Sequence, residues 1–418
     1  MLLRTNIFRL RPTPEIEREL FSICELCASL WNDLNYYRRN MLKRNSFDWD
    51  CTEILEKYKL LLDERIARQI VKKNDKTWKS FFTLKRMREE GRLPKFFGRI
   101  SPPGYWINPK TGKKKLMTIV RGRDYRIVGR YLHLFNGLKI RISGELRWQG
   151  WQGQLIIKYN EILKKWYCHQ TIFVNDDAIP IPSKKQRKAF VDLGVINIIT
   201  GWIEGERQAI AFSGRPILSS WWYWSKKISE LQSKLYKNGL FTSKRLRRMF
   251  LKRRLQFRES INVIVHRFVK LCYKKGVDEI IVGDVTHIAE RVRGRKKVNA
   301  LIHNFWCFRY IMNRLRTTAE NFGIKVTLVK ESGTSSRCIR CGSRNVMRRG
   351  RLFRCLDCKL EAHRDVVGVI NIASSYLNRK IEGVHPHPIV LRFSSVLQHK
   401  EPYISDFERF KKLIEVSS

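Results

Sequence analysis

Four cysteines carry the most specific chemistry in the chain. Cys338 and Cys341 form CIRC, thirteen residues intervene, and Cys355 and Cys358 form CLDC. Two such knuckles bring four thiolates into a tetrahedron suited to Zn²⁺, and a closed four-thiolate site leaves no position for a substrate, so its expected role is structural. Cys24 and Cys27 repeat the CxxC spacing, but they lie on an apolar helical stripe with no second pair nearby and read as core. Two acids stand out by their surroundings. Asp192 interrupts the apolar run FVDLGVINIITGWI, with Gly194 just after it to allow a close backbone approach. Burying a lone carboxylate is costly unless a cation or donors compensate, which points to a divalent-metal ligand; the ordinary alternative is a strand-end acid bonded to loop amides. Asp365 opens the helix EAHRDVVGVINIA, whose Val366, Val369, Ile370 and Ala373 turn inward. An acid there also complements the helix dipole, so its company must decide between the two roles.

The composition says what these groups would act on. The 418 residues hold 84 Lys and Arg against 38 Asp and Glu, a net charge of +46. Such an excess repels itself unless a polyanion neutralises it, which favours nucleic acid as the partner. With 43% hydrophobic and 11% aromatic residues, a disordered or collagen-like chain is excluded. No uninterrupted apolar stretch reaches the about 18 residues of a membrane span, and Arg4 and Arg9 fall where a signal peptide needs its apolar region, so a cytoplasmic, nucleoid-associated protein without a membrane partner is expected. In that reducing compartment the two CxxC pairs favour metal over disulfides.

Several elements must position these residues. Residues 1–10 alternate as a strand, and from Pro14 to about Glu90 apolar positions recur at helical spacing (Leu20, Cys24, Cys27, Leu30, Trp31, Leu34). From Leu93 to about Val174, short runs such as LMTIVRG, YLHLF, LKIRI and LIIKY read as strands of a small sheet or barrel. A basic linker around residue 185 marks a domain boundary, followed by two buried strands around a turn. Residues 225–258 read as a long helical hairpin whose twelve Lys and Arg, among them Lys244, Arg245, Arg247, Arg248, Lys252, Arg253 and Arg254, face the single acid Glu230. Solvated helix faces normally mix signs, so a polyphosphate contact is expected there. The strand EIIVGD, the basic loop ERVRGRKK, a helix over 305–322 and the strand KVTLV follow, alternating α and β in one domain. Basic and aromatic residues interleave in LPKFFGR, ISPPGYW, LRWQGWQG and SSWWYWSKK, although packing is the expected role for most of Trp148, Trp151, Trp221, Trp222 and Trp224.

In this order, FVDLGVINIIT, EIIVGDVTHI, GTSSRCIRCG…FRCLDC and HRDVVGVINIA resemble the split RuvC domain of the TnpB family, RNA-guided nucleases of insertion sequences similar to the smaller type V CRISPR effectors. The resemblance implies an α+β multidomain fold: a wedge-type β-barrel over 1–12 and 91–183, a helical recognition domain over 13–90, an RNase H-like (RuvC) domain over 184–335 and 361–378, a zinc ribbon over 336–360 and a tail over 379–418. It assigns Asp192 and Asp365 as the first and third catalytic carboxylates. The family usually has Glu-Asp at the end of the central strand, where this chain has Gly283-Asp284. Neighbouring strand residues face opposite sides, so Asp284 substitutes only if the strand ends or bulges there. Glu331, ending the next strand, is the favoured replacement, with Asp284 the alternative. Such a triad binds two Mg²⁺, or Mn²⁺ in their place, about 4 Å apart and hydrolyses phosphodiesters. The implied partners are a guide RNA encoded by the element and double-stranded target DNA. Rival expectations are a nuclease-inactive guided binder, motivated by Gly283, and an RNA-free RuvC-type resolvase or transposase.

Overall fold

The computed structural model describes residues 2–93, 98–108, 112–175, 186–285, 305, 307–330 and 336–393. Glu331, the loop 290–297, the boundary near residue 185 and the tail beyond 393 lie outside the described residues. The chain divides into two compact units, Met1–Ala178 and Ile179–Ser418, and its fold is mixed α+β.

The first unit opens with β1 (Leu2–Arg11), whose alternation buries Phe8 and Leu10 and leaves Leu3 and Ile7 exposed. Helix α1 (Pro14–Lys43) starts where the Thr13 hydroxyl accepts from the Ile16 N–H, with Pro14 leading and Glu15 and Glu17 in the first turn. Helices α2 (Thr52–Lys59) and α3 (Glu64–Glu89) pack against it around Leu30, Trp31, Ile66 and Ile70. Cys24 lies in the sheet core and Cys27 in the helical core, both fully buried. Strands β2 (Met117–Val120), β3 (Tyr125–Val128), β4 (Tyr131–Leu134), β5 (Lys139–Ser143), β6 (Trp151–Asn160) and β7 (Lys165–Val174) join β1 in a seven-stranded sheet ordered β2-β6-β7-β1-β5-β4-β3. A short 3₁₀ turn over 122–124 connects the edge strands β2 and β3, and the Gln152 amide donates to the Gly122 and Tyr125 carbonyls across the gap. Among the described residues no ladder joins the two edges, so the expected barrel is a curled sheet drawn together by side-chain bonds.

The second unit contains, in chain order, β8 (Arg187–Leu193), β9 (Asn197–Ile203), β10 (Ile210–Ser213), α4 (Arg215–Lys237), α5 (Lys244–Lys274), β11 (Val277–Asp284), α6 (Phe308–Glu320), β12 (Lys325–Lys330), β13 (Val346–Arg349), β14 (Leu352–Cys355), β15 (Glu361–His363), α7 (Arg364–Leu377) and β16 (Ile389–Leu391). Six strands form one sheet ordered β12-β11-β8-β9-β10-β16, with β8–β11 and β11–β12 parallel and β8–β9 and β9–β10 antiparallel. Both faces are covered, which is why these strands are written as nearly continuous apolar runs. Val191, Ile280 and Val282 pack with Ile264 and Phe268 of α5 and Leu315 of α6. On the other face Phe190, Trp202 and Ile281 pack beneath Val366, Val369 and Ile370 of α7. Each such side chain contributes roughly 1.5–3 kcal/mol on burial, so α7 is fixed to the sheet by its apolar stripe. The small sheet β13-β14-β15 runs directly into α7, with Val367 buried against the ribbon core.

Candidate metal centres and basic surface

The register of the large sheet determines which acids share a face. Phe190 pairs with Ile281 and Val191 with Val282 in the parallel β8–β11 ladder, while Gly283 pairs with Val329 and Asp284 with Lys330 in β11–β12. Phe190 and Ile281 face α7, so Asp192 and Gly283, each two residues further on, belong to that face. Val282 belongs to the α5 and α6 face, and alternation carries Asp284 with it; β11 continues through Asp284 in unbroken register.

Asp192 lies directly against α7. A Cβ at Gly368 would stand 2.8 Å from Asp192 Oδ2, so the glycine is what admits the carboxylate. Gly368 is one helical turn beyond Asp365, on the same side of α7. Asp365 is almost fully buried; its Oδ2 accepts from Asn197 Nδ2 at 2.8 Å and its Oδ1 from Arg351 Nη1 at 2.6 Å. The His363 side chain caps the helix by accepting from the Asp365 N–H at 3.3 Å. Asn197 reaches Asp365 because the β8–β9 turn is tight: a Cβ on Gly194 would lie 2.8 Å from the Asn197 carbonyl oxygen. Thus β8, β9 and the ribbon hairpin converge on the first turn of α7, offering hard carboxylate oxygens of the kind Mg²⁺ prefers.

Sequence reasoning singled out Asp192 and Asp365 but not Asn197, Arg351 or Gly368. A glycine inside an apolar helix carries a signal, since it costs about 1 kcal/mol against alanine unless close packing requires it. Arg351 is one of many arginines and carries none. Glu279 was also missed: it accepts from Thr327 at 2.5 Å, Lys188 at 2.9 Å and Tyr376 at 3.1 Å. Burial pushes its carboxyl upward, but these hydrogen bonds and the Lys188 charge prevail and hold it at about 2. Glu279 lies near the start of β11, the strand that ends at Gly283-Asp284, and its partners tie β8, β11, β12 and α7 together.

The second centre is the four-cysteine cluster. Sγ atoms of Cys338, Cys341, Cys355 and Cys358 lie within 4.8 Å of one another, with Cys338–Cys358 at 3.6 Å and Cys341–Cys355 at 3.5 Å. A tetrahedron with metal–sulfur bonds of about 2.3 Å has edges of about 3.8 Å, so the four thiols could hold zinc. The backbone N–H of Cys358 draws the Cys355 thiol below its ordinary value, whereas burial pushes the Cys338 thiol up to about 12. Among the described residues this is the only group of three or more metal-ligating side chains so closely spaced; Asp192, Asp284 and Asp365 do not form another.

The α4–α5 pair forms the basic hairpin. Its base is fixed by Trp224 Nε1 donating to Gln256 at 2.6 Å and by Arg253 donating to Ser225 at 2.8 Å. Arg253 also lies over the Trp221 ring, and burial lowers its pKa, so it serves the packing. Lys244, Arg245, Arg248, Lys252 and Arg254 are exposed, and Arg247 is half-buried. Of the tryptophans, Trp221 is buried, whereas Trp151 and Trp222 are exposed. No described helix is long and apolar enough to cross a membrane.

Comparison with known proteins places these features among relatives. A family model described as a probable transposase (OrfB_IS605) matches residues 170–289, and one for the Cas12f1-like TNB domain matches residues 308–372. The TnpB-like protein ORF457 of Acidianus two-tailed virus is 30% identical over 366 residues, spanning 80% of this chain and 78% of the relative. Among solved structures, a Cas12f1–sgRNA–target DNA complex matches at 15% identity with a TM-score of 0.36, covering 90% of this chain and all of the other. CasPhi-2 (Cas12j) bound to crRNA matches at 10% identity with a TM-score of 0.43, covering 92% and 99% of the two chains.

Proposed function

The chain belongs to the TnpB family, and from that premise we propose that it is an RNA-guided DNA endonuclease of a transposable element, cutting by a two-metal RuvC mechanism. The observation that carries this reading is the placement of Asp192 Oδ2 against Gly368, one turn from the buried Asp365. In the proposed site Asp192 and Asp365 would hold divalent metal, Mg²⁺ or Mn²⁺, and the chemistry it would supply there is activation of water and stabilisation of the leaving 3′ oxygen. Asn197 orients Asp365, and the sheet order with its antiparallel β9 fits an RNase H-like domain.

Glu331 is proposed as the remaining ligand. In sequence it directly follows β12, two residues after Val329, and Val329 is the register partner of Gly283, where the family's glutamate is missing. Asp284 is the weaker candidate because alternation assigns it to the α5 and α6 face. Zinc in the four-cysteine cluster would be structural, holding the ribbon that leads into α7. The guide RNA is proposed to lie on the basic surfaces, with base pairing selecting the target DNA. The test is Glu331→Ala in a guided cleavage assay: loss of Mg²⁺-dependent cutting with RNA-dependent binding retained is expected, and wild-type cutting would refute the assignment. Loss of all cutting in wild type, with guided binding intact, would favour the inactive binder that Gly283 suggests.

A further inference from the structure

We propose that the tip of the α4–α5 hairpin is a stacking platform for an unpaired or terminal base of a structured nucleic acid. At this tip Tyr236 is 73% exposed and Phe241 83% exposed, with Leu240 also open to solvent. The two rings approach edge to face, centroids 6.3 Å apart at 66°. This apolar cap is held in place: Gly239, with φ +67°, donates from its N–H to Tyr236 O at 3.0 Å, the Leu240 N–H donates to Leu235 O at 2.9 Å, and the Ser243 hydroxyl caps α5 by accepting from the Leu246 N–H at 3.1 Å. The ring exposure therefore belongs to an ordered turn.

The charge around the cap selects the occupant. From residue 231 to 258 there are ten Lys and Arg and no Asp or Glu, with Lys234, Lys237 and Lys244 nearest the rings in sequence. A second copy would oppose cations to cations, which disfavours self-association through this tip. Nucleic acid satisfies both features, since its phosphates pair with the lysines and arginines while a base offers a π-face to the aromatic rings. A convex tip cannot enclose a base, so the fitting target is a helix end or an unpaired nucleotide.

The inference rests on the nucleic-acid function proposed above. Its test uses the full chain and an RNA hairpin carrying 2-aminopurine at an unpaired 3′ end, titrated at several salt concentrations. Tyr236→Ala/Phe241→Ala should weaken binding about tenfold or more, abolish the 2-aminopurine quenching and leave the salt slope unchanged, while Phe241→Trp retains both signals. Lys244→Ala/Arg245→Ala should flatten the salt slope, since each lost phosphate contact releases fewer counterions. If the aromatic double variant binds and quenches like wild type, the platform is refuted while the nucleic-acid function stands. If the aromatic variants lose only adsorption to anionic phosphatidylserine vesicles, the tip is a membrane contact and the inference falls. If wild type fails to bind the RNA at all, both fall together.

Discussion

Asp192 of β8 and Asp365 of α7 are far apart in sequence, and the missing side chain at Gly368 lets Asp192 lie against the helix that carries Asp365. Gly368→Ala should raise helix propensity by about 1 kcal/mol, yet its Cβ would displace the Asp192 carboxylate, which stands 2.8 Å away. The expected result is cleavage reduced about tenfold and a raised Mg²⁺ requirement without loss of thermal stability; an unchanged Mg²⁺ titration would show that Asp192 does not need that position. Asp192 was singled out because it interrupts an apolar run, where an uncompensated charge is costly, and Asp365 because of the motifs around the helix that it opens. Asn197 and Arg351 were not, because a hydrogen bond across 168 residues and an ion pair across 14 leave no periodic trace. Gly283 was legible as a departure, and the register explains its consequence: it occupies the α7 face that Asp284 does not.

The ribbon, the central strand and α7 form the elements that set this geometry. Cys355→Ser should release zinc and lower the melting temperature of the second unit, because the ribbon core contains Cys338, Cys355 and Val367 of α7 together; metal analysis showing full zinc, or none in wild type at normal stability, would contradict this. Glu279 gives the strand its pH dependence. Its carboxyl, held at about 2 in the folded protein against 4.5 ordinarily, contributes up to about 3 kcal/mol above pH 4.5 that is lost as pH falls toward 2. Glu279→Gln should therefore flatten the acid limb of a stability–pH profile between those values, and an identical profile would exclude the carboxylate as its source. Strands with alternating or continuous apolar patterns, β1, β2, β4, β5, β6, β8, β9, β11 and β12, were readable from sequence. β16 was not: its three residues form a strand through parallel pairing with β10, a tertiary contact that local pattern does not encode. The helices of the basic hairpin extend further at both ends than the charge run suggested, because Ile217 at one end and Val265 and Phe268 at the other join the sheet core.

At the scale of the whole molecule the net charge of +46 is the dominant property, and it was readable from composition alone. Neutralising many phosphates releases counterions, so nucleic-acid affinity should fall by about 10³ or more between 50 and 200 mM salt; an affinity that hardly changes would contradict a phosphate-based interface. What composition could not give was the distribution of these charges, since Arg253 serves packing while Lys244 and Arg245 remain exposed on the same helix. The division into two compact units falls between β7 and β8, whereas the curling of the first sheet is supported by Gln152 of β6 bonding to the Gly122 and Tyr125 carbonyls, contacts that no pattern announces. The central claim, guided metal-dependent cutting, is tested most directly with the protein purified together with RNA transcribed from its element's flank, Mg²⁺, and a plasmid library bearing a guide-matched target beside randomised bases. Cleavage confined to matched targets with a short enriched adjacent motif, and lost in Asp365→Asn, is the predicted result; RNA-dependent binding with intact plasmids throughout would contradict it.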